Sequence, residues 1–254
     1  MNNLFKDEYS RKARLFPCVV VAIPYAIIIA AIIYSHALEG LVAYVKVLIS
    51  VFAGIGLGIT GIVYWLAERI RNEGRKLQAR YFGDGVDLPT TRMALWSDTS
   101  FTDERKDKIH SLLNDVYGLR TLSREGEREN EWLARKLIAE AVDVVRPLVN
   151  DGIRLLQYNI RFGCARNLAA GSKYAVLGSL IGLIVGAVWL TSPAVCILEL
   201  VAGVYFVIKM FAKGKDMRWF GNEYAKVFWS EFIEISMERG LQSGRSAHGD
   251  VSKG

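Results

Sequence analysis

The sequence predicts an all-α, polytopic membrane protein with two transmembrane helical hairpins and a cytosolic helical region. Two observations lead to this fold class. Long uncharged runs alternate with charged blocks, and lysine and arginine gather at the same end of each hairpin. Hydrophobic residues form 52% of the 254 residues, which exceeds the share in an average soluble domain, although 23% of the chain is charged.

Four apolar runs have about the length of a membrane-spanning helix: residues 15–34, 47–67, 174–190 and 193–210. A helix rises about 1.5 Å per residue, so roughly 20 residues cross a hydrocarbon core of about 30 Å. Only Thr191 and Ser192 separate the last two runs. We therefore expect one hairpin at 15–67 and a second at 174–210.

The distribution of basic residues predicts the orientation. Lysine and arginine stand before the first run, after the second, before the third and after the fourth, whereas the two hairpin tips hold only Lys46. The positive-inside rule then places both termini and the central block in the cytoplasm. The protein is expected in the bacterial inner membrane, with the lipid bilayer as its first partner.

The runs divide the rest of the chain into four further regions. These are a cytosolic N-terminus at 1–14, a cytosolic helical domain at 68–173, a cytosolic amphipathic helix at 211–240 and a disordered tail at 241–254. Every fourth residue of the amphipathic helix is aromatic, which predicts a face that packs against the membrane surface or the cytosolic helices: Phe220, Tyr224, Phe228 and Phe232.

The central block reads as a series of helices. Thr102 caps a helix that Gly118 ends, and Ser123 precedes a longer helix. One apolar face of that longer helix is predicted to carry Trp132, Leu133, Leu137, Ile138, Ala141, Val144 and Val145.

Enzyme signatures are absent from the sequence. No phosphate-binding GxxxxGK, no HExxH and no GxSxG occurs, and neither the three cysteines nor the three histidines have ligand-like spacing. We expect no catalytic residue, no metal and no cofactor. His110 lies in a charged helix and is predicted to be solvated.

Small-residue spacing marks two of the apolar runs. Gly54 and Gly58 are four residues apart in the second run, and Gly178, Gly182 and Gly186 form two such steps in the third. Glycines four apart share a helix face on which another helix can approach closely. The spacing fits packing within one chain as well as self-association into an oligomeric pore.

Glu199 is an ionisable residue inside the fourth apolar run. Such residues are costly in lipid and face protein or water. One interpretation is a carboxyl near the interface that bonds to a neighbour. The other is a ring of carboxylates in an oligomer, which would favour cations.

A third group interleaves basic and aromatic residues and supplies the candidate ligand-binding residues: Arg92, Trp96, Tyr158, Arg161 and Arg166. Arginine beside aromatic rings suits phosphates and stacked bases. The structural interpretation is a joint before the third run, with Arg161 and Arg166 at lipid headgroups.

Three motifs resemble a known family: Pro-Thr-Thr-Arg at 89–92, Tyr-Gly-Leu at 117–119, and Leu-Leu-Gln-Tyr-Asn-Ile-Arg-Phe-Gly-Cys-Ala-Arg-Asn-Leu at 155–168. They are similar to those of four-helix membrane effectors of bacterial anti-phage defence, encoded beside nucleotidyltransferases in Hailong-type systems. Where members of that family carry an acidic residue and a second arginine in the last motif, this chain has Tyr158 and Ala165.

The resemblance implies a homo-oligomeric pore or ion channel, gated by a nucleotide or oligonucleotide that the partner nucleotidyltransferase makes and the cytosolic part binds. Whether the ligand opens or closes the pore stays open. The alternative is a non-conducting membrane scaffold that docks a cytosolic partner.

Overall fold

A computed structural model describes the backbone of residues 7–37, 41–83, 85–149, 152–212 and 214–249, and their side chains except at 36–60, 62 and 240–249. The described residues form helices and no strand. In chain order these are α1 (Phe16–Ala37), α2 (Leu41–Phe82), α3 (Pro89–Ala94), α4 (Asp103–Ser111), α5 (Arg124–Glu129), α6 (Glu131–Val149), α7 (Ile153–Ile184), α8 (Pro193–Phe211) and α9 (Lys215–Gly249). Three π-helical turns adjoin α1, α4 and α7: Ser10–Leu15, Leu112–Val116 and Val185–Trp189.

The chain divides into two compact units. Unit 1 consists of Met1–Gln78 and Ile160–Met217, and unit 2 of Ala79–Asn159 and Arg218–Gly254. Unit 2 is thus shorter at both ends than the predicted domain at 68–173, and it includes the C-terminal helix, which was predicted as a separate region. Helices α2 and α7 each contribute residues to both units.

Among the described residues, three helices are long and apolar enough to cross a membrane: Ser10–Ser35, Ile153–Trp189 and Pro193–Phe211. They contain the first, third and fourth predicted runs. The second, at 47–67, falls largely on the part of α2 whose side chains lie outside the described residues, so the pairing of four spans into two hairpins stays a prediction.

Large apolar side chains project from the three helices of unit 1. Val188 is 77% exposed and Phe211 79% exposed, and many of their neighbours on α1, α7 and α8 are more than half exposed. Soluble proteins rarely expose apolar surface so continuously, whereas a helix in lipid has no reason to bury it. The helices are therefore arranged as expected for a membrane environment.

A tight turn connects α7 to α8. Thr191 adopts a left-handed conformation with φ of 45°, and the Ser192 amide donates to the Gly186 carbonyl at 2.9 Å. This bond satisfies one of the carbonyls left free at the end of a helix. The predicted two-residue link is therefore a defined turn.

Unit 2 has a core of its own, to which α3, α4, α6 and α9 all contribute. The buried residues of α9 in this core are Ala225, Val227, Phe228, Trp229 and Phe232. Of the two partners proposed for its aromatic face, the structure gives the helices of unit 2.

Two predictions about unit 2 are wrong. Trp132 is 65% exposed and Val144 is 55% exposed, so neither belongs to the apolar face of α6. Three residues of the predicted face are buried as expected, Ile138, Ala141 and Val145. The other buried residues of α6 are Ala134, Val142 and Val149. Trp132 and Val144 lie to either side of the buried face, which runs through Ile138, Val145 and Val149.

Two predicted boundaries also shift. The helix after Ser123 is interrupted at Asn130, whose Oδ1 accepts from the Leu133 amide at 2.9 Å and starts α6. Helix α9 continues to Gly249, past the predicted end at residue 240, since no proline stops it. Residues 250–254 of the predicted tail lie outside the described residues.

Candidate functional site

An open cleft of about 700 Å³ lies in unit 2. It is formed by the end of α2 and the turn after it together with α3, α6 and α9. Its lining residues are Tyr81, Phe82, Val86, Asp87, Arg92, Glu131, Trp132, Arg135 and Arg218. The volume falls within the range of small-molecule sites, about 300–1,000 Å³.

Three arginines and two carboxylates line the cleft, which leaves an excess of positive charge. Arg135 forms ion pairs with Asp87 and with Glu131. The guanidinium of Arg218 lies over the ring of Tyr81, 5.5 Å from its centroid.

Arg92 is held by two other contacts. Its Nη2 donates to Asn222 Oδ1 at 3.2 Å, and its Nε lies 3.2 Å from Asp98 Oδ2 in an ion pair too poorly aligned to be a hydrogen bond. These contacts fix the direction of the Arg92 side chain, which supports ordered recognition of an anion.

Two aromatic side chains of the cleft are open to solvent. Trp132 is 65% exposed, with Lys136 Nζ 5.5 Å from the centroid of its ring, and Tyr81 is 38% exposed. An exposed indole beside guanidinium groups can stack on a flat ring while the arginines bind phosphate. The arrangement therefore suits an anionic ligand that contains an aromatic ring.

Arg92 is the predicted ligand residue that lines the cleft. The sequence analysis missed Tyr81, Trp132, Arg135 and Arg218. Trp132 and Arg135 are three residues apart on α6 and so share a face, a signal that was available in the sequence. The predicted core position of Trp132 excluded it as a ligand residue.

Trp96, also predicted to bind ligand, has a structural role. Its indole Nε1 donates to the Leu122 carbonyl at 2.9 Å, and its ring stacks on His110 with centroids 4.3 Å apart. The amides of Trp96 and Ser97 both donate to the Glu127 carboxylate at 2.8 Å. These contacts occupy both its polar edge and its ring, and they stabilise the loop after α3.

His110 is buried, which contradicts the predicted solvated position. It is 5% exposed, and its Nε2 lies 2.8 Å from the Ala94 carbonyl oxygen, while Nδ1 has no hydrogen bond among the described residues. The sequence suggested solvation because α4 is highly charged, but α3 covers its His110 face. Burial lowers the pKa of His110, and this effect exceeds the opposing hydrogen bond to Ala94.

Lowering the pH should therefore destabilise unit 2. An unfolded chain protonates His110 near pH 6.5, whereas the folded chain resists protonation, so stability present above that pH is lost as the pH falls below it. Thermal unfolding between pH 7.5 and 5 measures this loss. The His110→Gln variant should reduce the pH dependence, and an unchanged slope would contradict the prediction. Burial raises the pKa of Glu231, so protonation of Glu231 stabilises the folded chain as the pH falls. This opposing effect is the same in the wild type and in the His110→Gln variant.

The remaining predicted ligand residues have other surroundings. Tyr158 belongs to unit 2 and packs against its core. Arg161 and Arg166 belong to unit 1, where Arg161 is exposed and Arg166 is buried. Arg166 donates to Gln78 Oε1 at 2.8 Å and to Asn167 Oδ1 at 3.2 Å.

The glycines of α7 face other helices of the same chain. A Cβ at Gly178 would lie 2.8 Å from the Tyr25 ring, one at Gly182 would lie 2.7 Å from Glu199 Cγ, and one at Gly186 would lie 3.0 Å from Val195. Of the two interpretations, the structure gives packing within one chain. Gly54 and Gly58 lie outside the residues whose side-chain surroundings are described.

Glu199 is fully buried within the chain, against Gly182. The Ser179 hydroxyl lies beside its carboxyl, but neither this hydroxyl nor either carboxyl oxygen has a hydrogen bond of standard geometry among the described residues. A carboxylate ring would require the side chain to reach a surface between subunits. The geometry therefore gives Glu199 a place in helix packing instead.

No group of three or more histidine, cysteine, aspartate or glutamate side chains that could hold a metal ion occurs among the described residues.

No known protein-family model, curated protein or solved structure matches this chain.

Proposed function

We propose that the protein is a ligand-gated pore of the bacterial inner membrane that acts in anti-phage defence. Its cytosolic unit 2 binds a nucleotide or oligonucleotide in the cleft, and several copies of unit 1 form the pore. The observation that carries the proposal is the combination of three arginines with the exposed rings of Trp132 and Tyr81 in one cleft. The defence role is supported by the resemblance alone.

The end of α2 offers a route from the ligand to the membrane. Tyr81 and Phe82 line the cleft and are the last residues of α2, a continuous helix that includes the second predicted span. A ligand that contacts these residues more favourably in one state of the pore shifts the population towards that state. Whether the ligand opens or closes the pore then depends on whether the open or the closed state has the ordered cleft.

Ion flux tests the pore. The purified full-length chain is reconstituted into liposomes, and cation efflux is followed with and without ATP, a dinucleotide and a short oligodeoxynucleotide. We expect flux that at least one of these nucleotides changes. A preparation that is folded and membrane-inserted, yet never conducts under any of these conditions, would contradict the pore.

The second candidate is the non-conducting scaffold, and one observation favours it. The glycine face of α7 is occupied by Tyr25, Glu199 and Val195 of the same chain, so it offers no surface to a second copy. A scaffold would leave liposomes sealed and would hold a soluble protein at the membrane through unit 2.

Replacing Trp132 by alanine tests the cleft independently of conduction. Stacking of one base on an aromatic side chain contributes about 1–3 kcal/mol, so nucleotide binding should weaken about 5- to 150-fold. Isothermal titration of the detergent-solubilised protein measures this change. Trp219→Ala is the matched control, because Trp219 is also exposed in unit 2 but does not line the cleft. Equal affinities for the Trp132 variant and the wild type would place the ligand elsewhere.

A further inference from the structure

Arg166 is a buried cation that pairs with no carboxylate among the described residues. It is 9% exposed, and its two hydrogen bonds go to the neutral side chains of Gln78 and Asn167. Buried guanidinium groups are ordinarily matched by an anion, because removing a charge from water is costly unless it is paired. The local sequence thus leaves a positive charge to be neutralised.

Nearby arginines add positive charge around Arg166 and increase the need for a neutralising anion. Arg14, Arg71 and Arg75 all lie close enough to act electrostatically on Arg166. We call these four residues the Arg166 cluster. The cluster has few nearby acids: Glu68 forms an ion pair with Arg71 at 3.2 Å, and Asp7, in range of Arg14, accepts a hydrogen bond from the Ser10 amide.

The packing around Arg166 is close. A Cβ at Gly74 would lie 2.6 Å from Asn167 Oδ1 and 3.3 Å from Arg166 Nε, so any larger residue at position 74 would displace these two side chains. Neighbouring Glu73 is occupied by ion pairs to Lys76 and Lys173. The carboxylate nearest in sequence on α2 is therefore already engaged by other cations.

The cluster lies at the level where the first apolar run begins. Asn167 Nδ2 donates to the Ala13 carbonyl at 2.7 Å, so Arg166 is level with the residues that precede α1. One turn further along, Phe16 and Val19 are more than half exposed, as expected for side chains in lipid. The cationic groups thus coincide with the depth of phospholipid headgroups.

We propose that the Arg166 cluster binds the phosphodiester of an anionic phospholipid. Arg166 Nη2 makes no hydrogen bond to the described residues and is not among their buried unpaired atoms, so it remains available as a donor. Arg75 is exposed on the same helix as Gln78 and supplies a second guanidinium. The position of the cluster at the start of an apolar run favours a lipid phosphate over a soluble one.

Lipid binding by variants of the full-length chain tests this site. Native mass spectrometry of detergent-solubilised protein measures affinity for phosphatidylglycerol and for phosphatidylcholine. Each arginine near an anionic lipid contributes about a fivefold change in affinity, so Arg14→Gln/Arg75→Gln should weaken phosphatidylglycerol binding about 25-fold. Phosphatidylcholine binding should not change. If the double variant fails to fold, the single Arg75→Gln variant should show about a fivefold loss.

The matched control is Arg80→Gln/Arg120→Gln, which removes the same charge from exposed positions of unit 2 and should bind phosphatidylglycerol as the wild type does. An equal loss in this control would overturn the site, as would equal wild-type affinity for the two lipids. Glycerol 3-phosphate at millimolar concentration should not displace the lipid. Complete displacement would assign the site to a soluble phosphate and overturn the lipid.

Discussion

Replacing Gly182 by leucine is expected to destabilise unit 1 even where no oligomer forms. A Cβ at this position would lie 2.7 Å from Glu199 Cγ, and the Glu199 side chain is fully buried with no solvent to move into. Overpacking a filled interior costs about 1–3 kcal/mol for a few methylene groups, and a leucine side chain should reach the upper end of this range or exceed it. Thermal unfolding followed by size-exclusion chromatography in detergent measures the loss.

Gly61→Leu is the matched control. A Cβ at Gly61 meets no atom of the described residues within 4 Å, so the same substitution in α2 should leave unfolding unchanged. Glu199→Ala should restore part of the stability lost in Gly182→Leu, since it removes the side chain that leucine would overlap. A Gly182→Leu protein of normal thermal stability that has lost only its oligomeric state would show that this glycine face joins subunits instead.

Trp229→Ala is expected to unfold unit 2. Trp229 is fully buried, packs edge-to-face on Phe228 and Phe232 with centroids 5.2 and 5.5 Å away, and donates from Nε1 to the Thr90 carbonyl at 2.8 Å. Truncating a buried tryptophan costs about 3–5 kcal/mol, which is a large part of the stability of a domain. Loss of protease resistance in unit 2 and a lower midpoint of thermal unfolding would report the change.

Two variants separate packing from hydrogen bonding. Trp229→Phe keeps much of the ring contact but leaves the Thr90 carbonyl without its donor, so it should cost about 1–3 kcal/mol. Trp132→Ala removes an equally large ring from the surface and should leave unfolding nearly unchanged, because Trp132 is mostly exposed. If Trp229→Ala were as stable as Trp132→Ala, α9 would not be part of the core of unit 2.

The glycine and tryptophan positions show which contacts the sequence can predict and which it cannot. The spacing of Gly178, Gly182 and Gly186 identified a face for close helix contact, and the structure contains that contact. Spacing could not identify the helix that packs on this face, because any helix of the same or another chain can approach a glycine face. The same limit applied to Trp132, which hydropathy favours for a core and the fold leaves at the surface.

The sequence by itself determined the helical class and three helices that are long and apolar enough to cross a membrane. In lipid every backbone polar group must form its hydrogen bond within the segment, so a long apolar run forms a helix. Only the tertiary structure decided which side chains meet. The cleft brings together Tyr81, Arg92, Trp132 and Arg218, and Arg166 comes within electrostatic range of Arg14 and Arg75. Helix pairing sets these contacts, and pairing depends on the combined packing of whole faces instead of on any local pattern.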